Sequence, residues 1–479
     1  MTRVAADDAT AIELRYEDGT IRIDGLEQSP RSPSALRSSI PDIEADPRTA
    51  GWRTPAGSYA DVRAAVANMD VAVDDRVLDL ESIASLGSAY ELREYQHTAL
   101  EAWLATDRWA DGPTDESLGR APAGVLELPT GSGKTVIALK AIERLAVPTL
   151  VVVPTIDLLE QWQRELEREC NMPIGRFGGG EQRLEPITVS TYDSAYLKAD
   201  SVGDRFGLVV FDEVHHLGGE GYREIARLLA APARLGLTAT FERADGAHEV
   251  IEDIVGPLVH RVDVDALAGE HLADYDIKRL EVSLTPDERK EYERAQDVFT
   301  SYLARSGLDM QSGADYQELV KRSGTDPEAR EALLARQRAR EIMFGSAAKL
   351  EALAGILDEH RDERVIVFTA HNELAYDVSE RFLMPTITHQ TGATERREVL
   401  ERFREGTYSR VATSNVLDEG VDVPDANVAV VLSGSGSERE FVQRLGRILR
   451  PNADGRRAIL YEVIAGETSE ERIANRRRE

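Results

Sequence analysis

The strongest chemical signal in the chain is LPTGSGKT, which runs from Leu128 to Thr135. It follows an apolar strand candidate and precedes a helical pattern, so it predicts a glycine-rich turn at a helix N-terminus. Backbone N–H groups and the helix dipole make such a turn a phosphate-binding site. Lys134 would then reach the β- and γ-phosphates of a nucleotide, and the Thr135 hydroxyl would coordinate Mg²⁺. The other predicted residues of this cradle are Thr130, Gly131, Ser132 and Gly133.

A second signal, FDEVHH, covers Phe211 to His216 and ends another apolar strand candidate. Parallel sheets place their ligand sites at the carboxyl ends of the strands. We therefore expect Asp212 to hold the metal through water and Glu213 to polarise the attacking water. Adjacent histidines rarely share one ion, which argues against a metal site at His215 and His216. His215 is interpreted either as a sensor that links the nucleotide to a domain interface or as a structural histidine.

The third signal is QRLGRILRP, from Gln443 to Pro451. Arg447 and Arg450 are three residues apart on a predicted helix, so they project from one face. Guanidinium groups presented across a domain interface stabilise the charge that develops on a transferring γ-phosphoryl group. A solvated helical face would show the same spacing, but the phosphate loop and the acidic pair upstream favour the arginine-finger interpretation.

Two α/β units must position these residues. In each unit, apolar β-branched runs alternate with helical patterns, which predicts a parallel sheet covered by helices on both faces. Between residues 270 and 344, strand signals disappear and charged helical sequence predominates. The strand candidates of the first unit are 149–153, 187–190, 208–211 and 235–237, and those of the second are 365–368, 410–413, 428–432 and 458–463.

The predicted fold class is therefore α/β, with two tandem phosphate-loop-type domains, an N-terminal α+β module and a helical insertion. The insertion has a clear start signal, because Thr285 can cap a helix, Pro286 suits its first position and Glu288 can reach back to the cap. The expected segments are 1–87 for the module, 88–268 for the first domain, 269–345 for the insertion and 346–479 for the second domain.

Composition limits the class of protein. The chain has 479 residues, a net charge of −29, 42% hydrophobic residues and a single cysteine, Cys170. One cysteine cannot form an internal disulfide, and no apolar stretch is long enough for a membrane helix, so we expect a cytoplasmic protein without a membrane partner. An acidic chain with seven lysines is typical of proteins from salt-loving archaea, although an acidic mesophilic protein would also fit.

With these motifs the chain resembles the superfamily 2 helicases and, among them, the archaeal XPB (Rad25-like) DNA repair helicases, over residues 10–465. The segments LREYQ, GSGKT, DEVH, TAT, TSNVLDEGVDVP and QRLGRILR carry the resemblance. It implies two RecA-like domains that use ATP and Mg²⁺, a damage-recognition-like N-terminal module and a helical thumb.

The resemblance also implies a role for individual residues. Gln96 would contact the adenine base, and Gln443 would complete the nucleotide site together with Arg447 and Arg450. The implied contacts to the DNA backbone are Pro154, Thr155, Thr191 and Arg243, and the implied coupling residues are His215, Thr238, Thr240, Gly420 and Asp422.

The implied activity is that of an ATP-dependent 3′–5′ DNA helicase or translocase in DNA repair, acting as a monomer on single-stranded or forked duplex DNA, with a nuclease as partner. Where the family has an Arg-Glu-Asp element that is associated with strand separation, this chain reads Arg243, Ala244, Asp245. The missing central acid leaves two alternatives open. One is a double-stranded DNA translocase that remodels without unwinding, and the other is a DNA-binding platform for a partner nuclease.

Overall fold

The structure is a computed structural model that describes residues 12–26, 40–49, 51–67, 72–81, 83, 87–106, 121–129, 131–170, 172–219, 221–242, 246–262, 275–308, 310, 313–414, 426–433 and 457–471. The described residues up to 262 form one compact unit, and those from 275 onward form a second. No helix within these ranges combines the length and the apolar character that crossing a bilayer requires.

The first unit begins with a small module, in which the described residues form five strands and one helix. Its elements are β1 (Ile12–Glu17), β2 (Thr20–Asp24), β3 (Glu44–Ala45), β4 (Trp52–Pro55), a 3₁₀ turn (Ala56–Ser58), α1 (Tyr59–Ala67) and β5 (Val73–Arg76). The strand order is β3-β4-β2-β1-β5. Alternate residues of the first two strands, Ile12, Leu14, Ile21 and Ile23, are buried in one core, as the period of a half-buried strand requires.

Arg234 fixes this module to the rest of the unit. Arg234 is 5% exposed. Its guanidinium donates to the backbone carbonyl of Gly57 in the module, at 3.1 Å, and to that of Ala226, at 3.0 Å. From the module, the Tyr16 hydroxyl donates to the Asp200 carbonyl at 2.7 Å, and burial raises the pKa of Tyr16. These carbonyls compensate for taking a cation and a hydroxyl out of water.

The main sheet of the first unit has eight strands. They are β6 (Ala123–Glu127), β7 (Thr149–Val153), β8 (Ile174–Gly178), β9 (Glu181–Arg183), β10 (Ile187–Thr191), β11 (Leu208–Asp212), β12 (Ala233–Thr238) and β13 (Leu258–Arg261). Their order is β13-β6-β12-β11-β7-β10-β8-β9, and all neighbours are parallel except β8 and β9. Every residue of β7, β10, β11 and β12 is buried, and these are the four strands predicted from apolar runs.

Helices connect these parallel strands. They are α2 (Glu94–Leu104), α3 (Lys134–Leu145), α4 (Ile156–Glu169), α5 (Tyr192–Val202), α6 (Arg223–Leu228) and α7 (Ala247–Ile254), and a 3₁₀ turn (Val214–Gly218) follows β11. Since α3, α4 and α5 each follow a strand of the sheet, they begin at its carboxyl edge. That edge is where α/β sheets bind ligands.

The sheet of the second unit has six parallel strands. They are β14 (Tyr275–Val282), β15 (Val365–Thr369), β16 (Thr386–Ile387), β17 (Arg410–Ser414), β18 (Val428–Val431) and β19 (Ala458–Ala465), in the order β14-β19-β18-β15-β17-β16. The four strands predicted from apolar runs in this part of the chain are confirmed.

Strand β14 corrects one prediction, because no strand was expected between residues 270 and 344. It lies at the edge of the sheet and pairs with β19. Its apolar residues are interrupted by Asp276 and Lys278, and Ile277 is 55% exposed. Only its last apolar positions, Leu280 and Val282, pack against the core, so the sequence lacks the run that marks a buried strand.

The other elements in the described part of the second unit are helices. They are α8 (Pro286–Ser306), α9 (Gly313–Ser323), α10 (Pro327–Phe344), α11 (Ala347–Glu359), α12 (Asn372–Phe382) and α13 (Ala393–Arg404). The predicted start signal of α8 is confirmed, because Thr285 and Glu288 form a capping box with Pro286 in the first turn. Glu288 also accepts the N–H of Ala347 at 2.9 Å, so the starts of α8 and α11 are bonded to each other.

A buried ion pair joins α11 to the segment that follows β19. Lys349 is 0% exposed, and its ammonium donates to both carboxylate oxygens of Glu470, at 2.9 and 2.7 Å. It also donates to the carbonyl of Leu432, just after β18. Burial lowers the pKa of Lys349, while the carboxylate of Glu470 stabilises the charged form.

Candidate nucleotide-binding site

The phosphate loop lies between β6 and α3, at the carboxyl edge of the main sheet. Gly131 and Gly133 have φ angles of 83° and 78°, the left-handed region that glycine adopts without strain. Gly133 is the N-cap of α3 and provides no side-chain cap. The Ser132 hydroxyl is buried and makes no hydrogen bond within the described part of the chain. A bound phosphate would satisfy both this hydroxyl and the first N–H groups of the helix.

Two side chains of α2 hold this loop. The Tyr95 hydroxyl and Nε2 of Gln96 both donate to the Ser132 carbonyl, each at 2.7 Å. Oε1 of Gln96 accepts the N–H of Arg93 at 2.9 Å, and Gln96 is 4% exposed. A Cβ on Gly133 would lie 2.4 Å from Nε2 of Gln96. Gln96 therefore supports the loop directly, and its contact with adenine stays a prediction.

Lys134 and Glu213 meet at the same edge of the sheet. Nζ of Lys134 lies 3.1 Å from Oε1 of Glu213, and their side chains are 6% and 15% exposed. Glu213 follows β11 directly and has a φ of 49°, the left-handed region, which is uncommon for a residue other than glycine. Such backbone conformations cluster at functional sites. The two predicted catalytic groups from distant motifs are thus in contact.

Asp212 is held by three neighbours. The indole N–H of Trp162 donates to its Oδ2 at 2.8 Å, and the N–H of Glu213 donates to its Oδ1 at 3.1 Å. The Tyr192 hydroxyl donates to its backbone carbonyl at 3.0 Å. These bonds fix both the carboxylate and the peptide group of a residue that is 6% exposed.

Three of the predicted coupling residues lie between the acidic pair and the phosphate loop. Nδ1 of His215 is 3.3 Å from Oγ1 of Thr238 and 3.6 Å from Oε2 of Glu213. The Thr238 hydroxyl donates to the Thr240 carbonyl at 2.9 Å, while the Thr238 carbonyl accepts the N–H of Leu128 at 3.0 Å. The structure therefore brings three separate motifs together, and the coupling role of His215 stays a prediction.

The residues at this edge fit a magnesium ion that is bound largely by a nucleotide. Within the described ranges, no group of three or more His, Cys, Asp or Glu side chains could hold a metal ion. Mg²⁺ in nucleotide sites keeps several waters and takes one or two protein oxygens beside those of the phosphates. Thr135 in the first turn of α3 and Asp212 at the end of β11 offer oxygens of this kind.

The threonines predicted to contact DNA are helix caps. Oγ1 of Thr155 accepts the N–H of Leu158 at 3.2 Å, and Oγ1 of Thr191 accepts the N–H of Ser194 at 3.3 Å. Pro154 directly precedes the first of these caps, and Thr191 is only 7% exposed. Contacts from these places to a DNA phosphate would therefore use the backbone N–H groups of the first turns more than the hydroxyls.

Seven predicted site residues lie outside the described residues, and their roles stay predictions. They include both candidate arginine fingers. The seven are Thr130, Arg243, Gly420, Asp422, Gln443, Arg447 and Arg450.

Sequence reasoning did not identify Tyr95, Trp162 or Tyr192 as part of the site. Tyr95 lies in the recognised segment LREYQ, and Tyr192 directly follows the predicted DNA contact Thr191. Aromatic residues at helical spacing are, however, typical of a core. Trp162 and its acceptor are 50 residues apart in sequence, and Tyr95 and its acceptor are 37 residues apart. No local pattern signals such contacts.

Comparison with known proteins gives three family matches. Residues 14–77 match the Xeroderma pigmentosum group B helicase damage recognition domain, residues 89–243 match the res subunit of type III restriction enzymes, and residues 348–452 match the helicase conserved C-terminal domain. Together they extend over most of the chain.

Relatives match over most of this chain. The DNA 3′-5′ translocase XPB2 of Sulfurisphaera tokodaii is 44% identical over 88% of this chain and 93% of that protein. Rad25 of Halobacterium salinarum is 32% identical over 84% of this chain and 59% of that protein. The DNA 3′-5′ helicase XPB of Mycobacterium tuberculosis is 30% identical over 81% of this chain and 63% of that protein. The chain thus spans less than two thirds of the second and third relatives.

One solved structure shares the fold. The crystal structure of the Pyrococcus furiosus Hef helicase domain matches 80% of this chain and 98% of that chain, with a TM-score of 0.51 and 20% identity. Together with the family matches of residues 89–243 and 348–452, it confirms the predicted α/β class with tandem RecA-like domains.

Proposed function

Because this chain belongs to the XPB family of helicases, we propose that it is an ATP-dependent DNA helicase or translocase that moves 3′ to 5′ and acts in DNA repair. The observation that carries the proposal is the contact of Lys134 with Glu213 beside the glycine-rich loop. The printed names of two relatives, a 3′-5′ translocase and a 3′-5′ helicase, support the direction of movement.

In this proposal ATP is the substrate, and the first turn of α3 holds its phosphates together with Lys134. Glu213 polarises the attacking water, and its carboxylate is already within 3.1 Å of the ammonium that would bind the phosphates. Mg²⁺, when bound, would neutralise phosphate charge, with the Thr135 hydroxyl as a ligand and Asp212 holding the ion through water. We further propose that Arg447 and Arg450 stabilise the charge on the transferring phosphoryl group.

DNA is the proposed macromolecular substrate. The match of residues 14–77 to a damage recognition domain supports it, as do the two helices that begin with Thr155 and Thr191 at the carboxyl edge of the main sheet. Contacts to the phosphate backbone do not depend on the base sequence. With a net charge of −29, the chain would depend on N–H contacts more than on long-range attraction, and high salt would weaken that attraction further. Monomeric action in the cytoplasm, beside a partner nuclease, completes the proposal.

A translocase that does not unwind is the second candidate. Ala244 stands where the family has an acid associated with strand separation, and a relative at 44% identity is named a translocase. A third candidate, a DNA-binding platform for a nuclease, predicts that Glu213→Gln leaves the repair activity of cells intact.

ATP hydrolysis and the unwinding of a forked duplex, measured together in molar KCl, test the proposal. The wild-type protein should hydrolyse ATP faster with DNA and displace a strand. Lys134→Ala should lower turnover by at least about 100-fold, because it removes a charge on the transferring phosphate. Hydrolysis that DNA stimulates without strand displacement would favour the second candidate.

Lys140→Ala is the matched control on the same helix. Its ammonium donates to the Ser88 carbonyl at 2.9 Å and to Glu143 at 2.7 Å, away from the loop. We expect near-normal turnover in this variant. Unchanged turnover in Lys134→Ala would refute the assignment of the loop, and equal losses in both lysine variants would show that the helix, not the phosphate contact, was damaged.

A further inference from the structure

Two buried aromatic side chains from different helices end at Asp212. Trp162 lies in α4 and donates its indole N–H to Oδ2 of Asp212 at 2.8 Å. Tyr192 is the first residue of α5 and donates its hydroxyl to the Asp212 carbonyl at 3.0 Å. Each aromatic residue is 1% exposed, so water does not compete for either bond.

Trp162 orients the carboxylate itself. The other carboxylate oxygen accepts the N–H of Glu213 at 3.1 Å, and Glu213 is the residue in contact with Lys134. Partners that orient a metal-holding side chain change metal affinity or activity by about 10- to 100-fold when they are removed. The indole N–H therefore bonds directly to the carboxylate that is proposed to hold the metal.

Tyr192 contacts the chain on both sides of the acidic pair. Its ring stacks on Phe211, with 6.5 Å between centroids, and lies 5.6 Å from the ring of His216. Phe211 precedes Asp212 and His216 follows Glu213. A displacement of α5 would therefore reach the backbone that carries both carboxylates.

The same two helices begin at the proposed DNA contacts. Thr155 is the N-cap of α4 and Thr191 is the N-cap of α5. Trp162 lies about two helical turns beyond the first cap, and Tyr192 directly follows the second. The strands that lead into these helices, β7 and β10, are neighbours in the sheet. Each helix thus carries a proposed DNA contact at its N-cap and, within its first two turns, a side chain that bonds to Asp212.

We propose that Trp162 and Tyr192 are positioning residues that couple DNA binding to the carboxylate of Asp212. This inference rests on the proposed function, and it names the side chains through which DNA stimulates hydrolysis. Phosphates bound at the starts of α4 and α5 shift both helices, and the two hydrogen bonds carry the shift to the carboxylate and its peptide group. Coupling between two binding sites is reciprocal, so a bound nucleotide changes DNA affinity through the same bonds.

Trp162→Phe and Tyr192→Phe remove one donor each. Tyr192→Phe keeps the phenyl ring, and Trp162→Phe replaces the indole with a smaller aromatic ring. Trp103→Phe is the matched control, because Trp103 is 0% exposed in the same unit and its indole N–H donates to the Arg234 carbonyl at 2.9 Å, near the start of β12. It loses the same type of bond at the opposite end of the strand pair, since Arg234 pairs with Val209, three residues before Asp212. Thermal unfolding shows whether each variant remains folded.

Each variant is measured for ATPase activity as a function of Mg²⁺, with and without a forked DNA duplex, and for affinity for that duplex with and without a non-hydrolysable ATP analogue. In Trp162→Phe, the Mg²⁺ concentration for half-maximal activity should rise about 10-fold. Stimulation by DNA should fall by about 2- to 10-fold in either variant, the value of one hydrogen bond. The factor by which the analogue changes the affinity for DNA should fall by the same amount, about 2- to 10-fold. The affinity for DNA without nucleotide should stay unchanged.

Wild-type stimulation by DNA and a wild-type Mg²⁺ requirement in both variants would overturn the inference. So would an equal loss in Trp103→Phe, because that result would trace the effect to the stability of the unit. Failure of the proposed function would look different, since DNA would then not stimulate the unaltered protein at all.

Discussion

Replacing Gly133 with alanine tests whether contact with α2 holds the phosphate loop in one shape. Two separate features oppose a side chain at this position. The φ of 78° lies in the left-handed region, and the new Cβ would lie 2.4 Å from Nε2 of Gln96. Gln96 would have to move, and with it the bonds it makes to Ser132 and Arg93.

The size of the effect follows from these two features. A left-handed conformation costs alanine about 1–2 kcal/mol. The two hydrogen bonds of Gln96 contribute about 0.5–1.5 kcal/mol each, so the combined cost to the loop is about 2–5 kcal/mol. If about 2 kcal/mol of this falls on the conformation that binds ATP, kcat/KM for ATP falls about 30-fold.

Gly246→Ala separates the two features. Gly246 is the N-cap of α7, with a φ of 73°, and a Cβ there would meet nothing within 4 Å. It therefore carries the backbone penalty without the collision. Steady-state ATPase kinetics of both variants, and of Gly133→Ala combined with Gln96→Ala, measure the contribution of the collision. The combined variant should lose less than the sum of its parts.

A kcat/KM of Gly133→Ala within twofold of wild type would refute this reasoning, as would equal damage from Gly246→Ala. Strict additivity in the combined variant would show that Gln96 and the loop act independently, contrary to the hydrogen bonds that join them.

The second unit offers two more tests. Glu470→Gln leaves the Lys349 ammonium buried without a carboxylate and should lower the free energy of unfolding of the unit by about 3–5 kcal/mol. Urea unfolding, followed by amide exchange in β19, measures this loss. Lys349→Met with Glu470→Leu should recover most of this loss, and an equally unstable double variant would contradict the charge argument. Partial burial raises the pKa of Glu288, but the N–H groups of Ala347 and Thr285 lower it more, so it lies below its usual value. The stability that Glu288 contributes is present above its unfolded pKa and lost as pH falls through the folded pKa. Amide exchange at the starts of α8 and α11 should therefore accelerate below about pH 4 in wild type, and an equal acceleration in Glu288→Gln would rule this explanation out.

The central strands could be predicted because a strand buried on both faces leaves an unbroken apolar run, as in β7, β10 and β11. Strands at the ends of the sheets gave no such signal. Strand β9 is Glu-Gln-Arg, with all three residues exposed, and β14 mixes charged with apolar residues. Edge strands are held by backbone bonds to one neighbour, and those bonds leave little trace in composition.

The centre of the candidate site could also be predicted, since the motif and the strand-end rule place Lys134 and Glu213 at one edge, where the structure has them in contact. Its supporting contacts could not. The bonds of Trp162 and Tyr192 to Asp212 depend on how α4 and α5 pack on the sheet. The capping box at Thr285 was readable because it is local, whereas the second bond of Glu288, to Ala347, spans 59 residues.

Arg234 has a consequence for shortened forms of this protein. Deleting residues 12–76 would remove the Gly57 carbonyl from its guanidinium and uncover Ala230, which packs in the core of the N-terminal module. Nη2 of Arg234 would keep its bonds to the carbonyls of Ala226 and Leu229, but the bond that is lost is worth about 0.5–1.5 kcal/mol. The loss would fall on β12, the strand that ends at Thr238 beside the acidic pair. Loss of ATPase activity in such a truncated form would then reflect damage to the first unit as well as the loss of the module. Point substitutions at exposed positions of the module are therefore the cleaner test of its role.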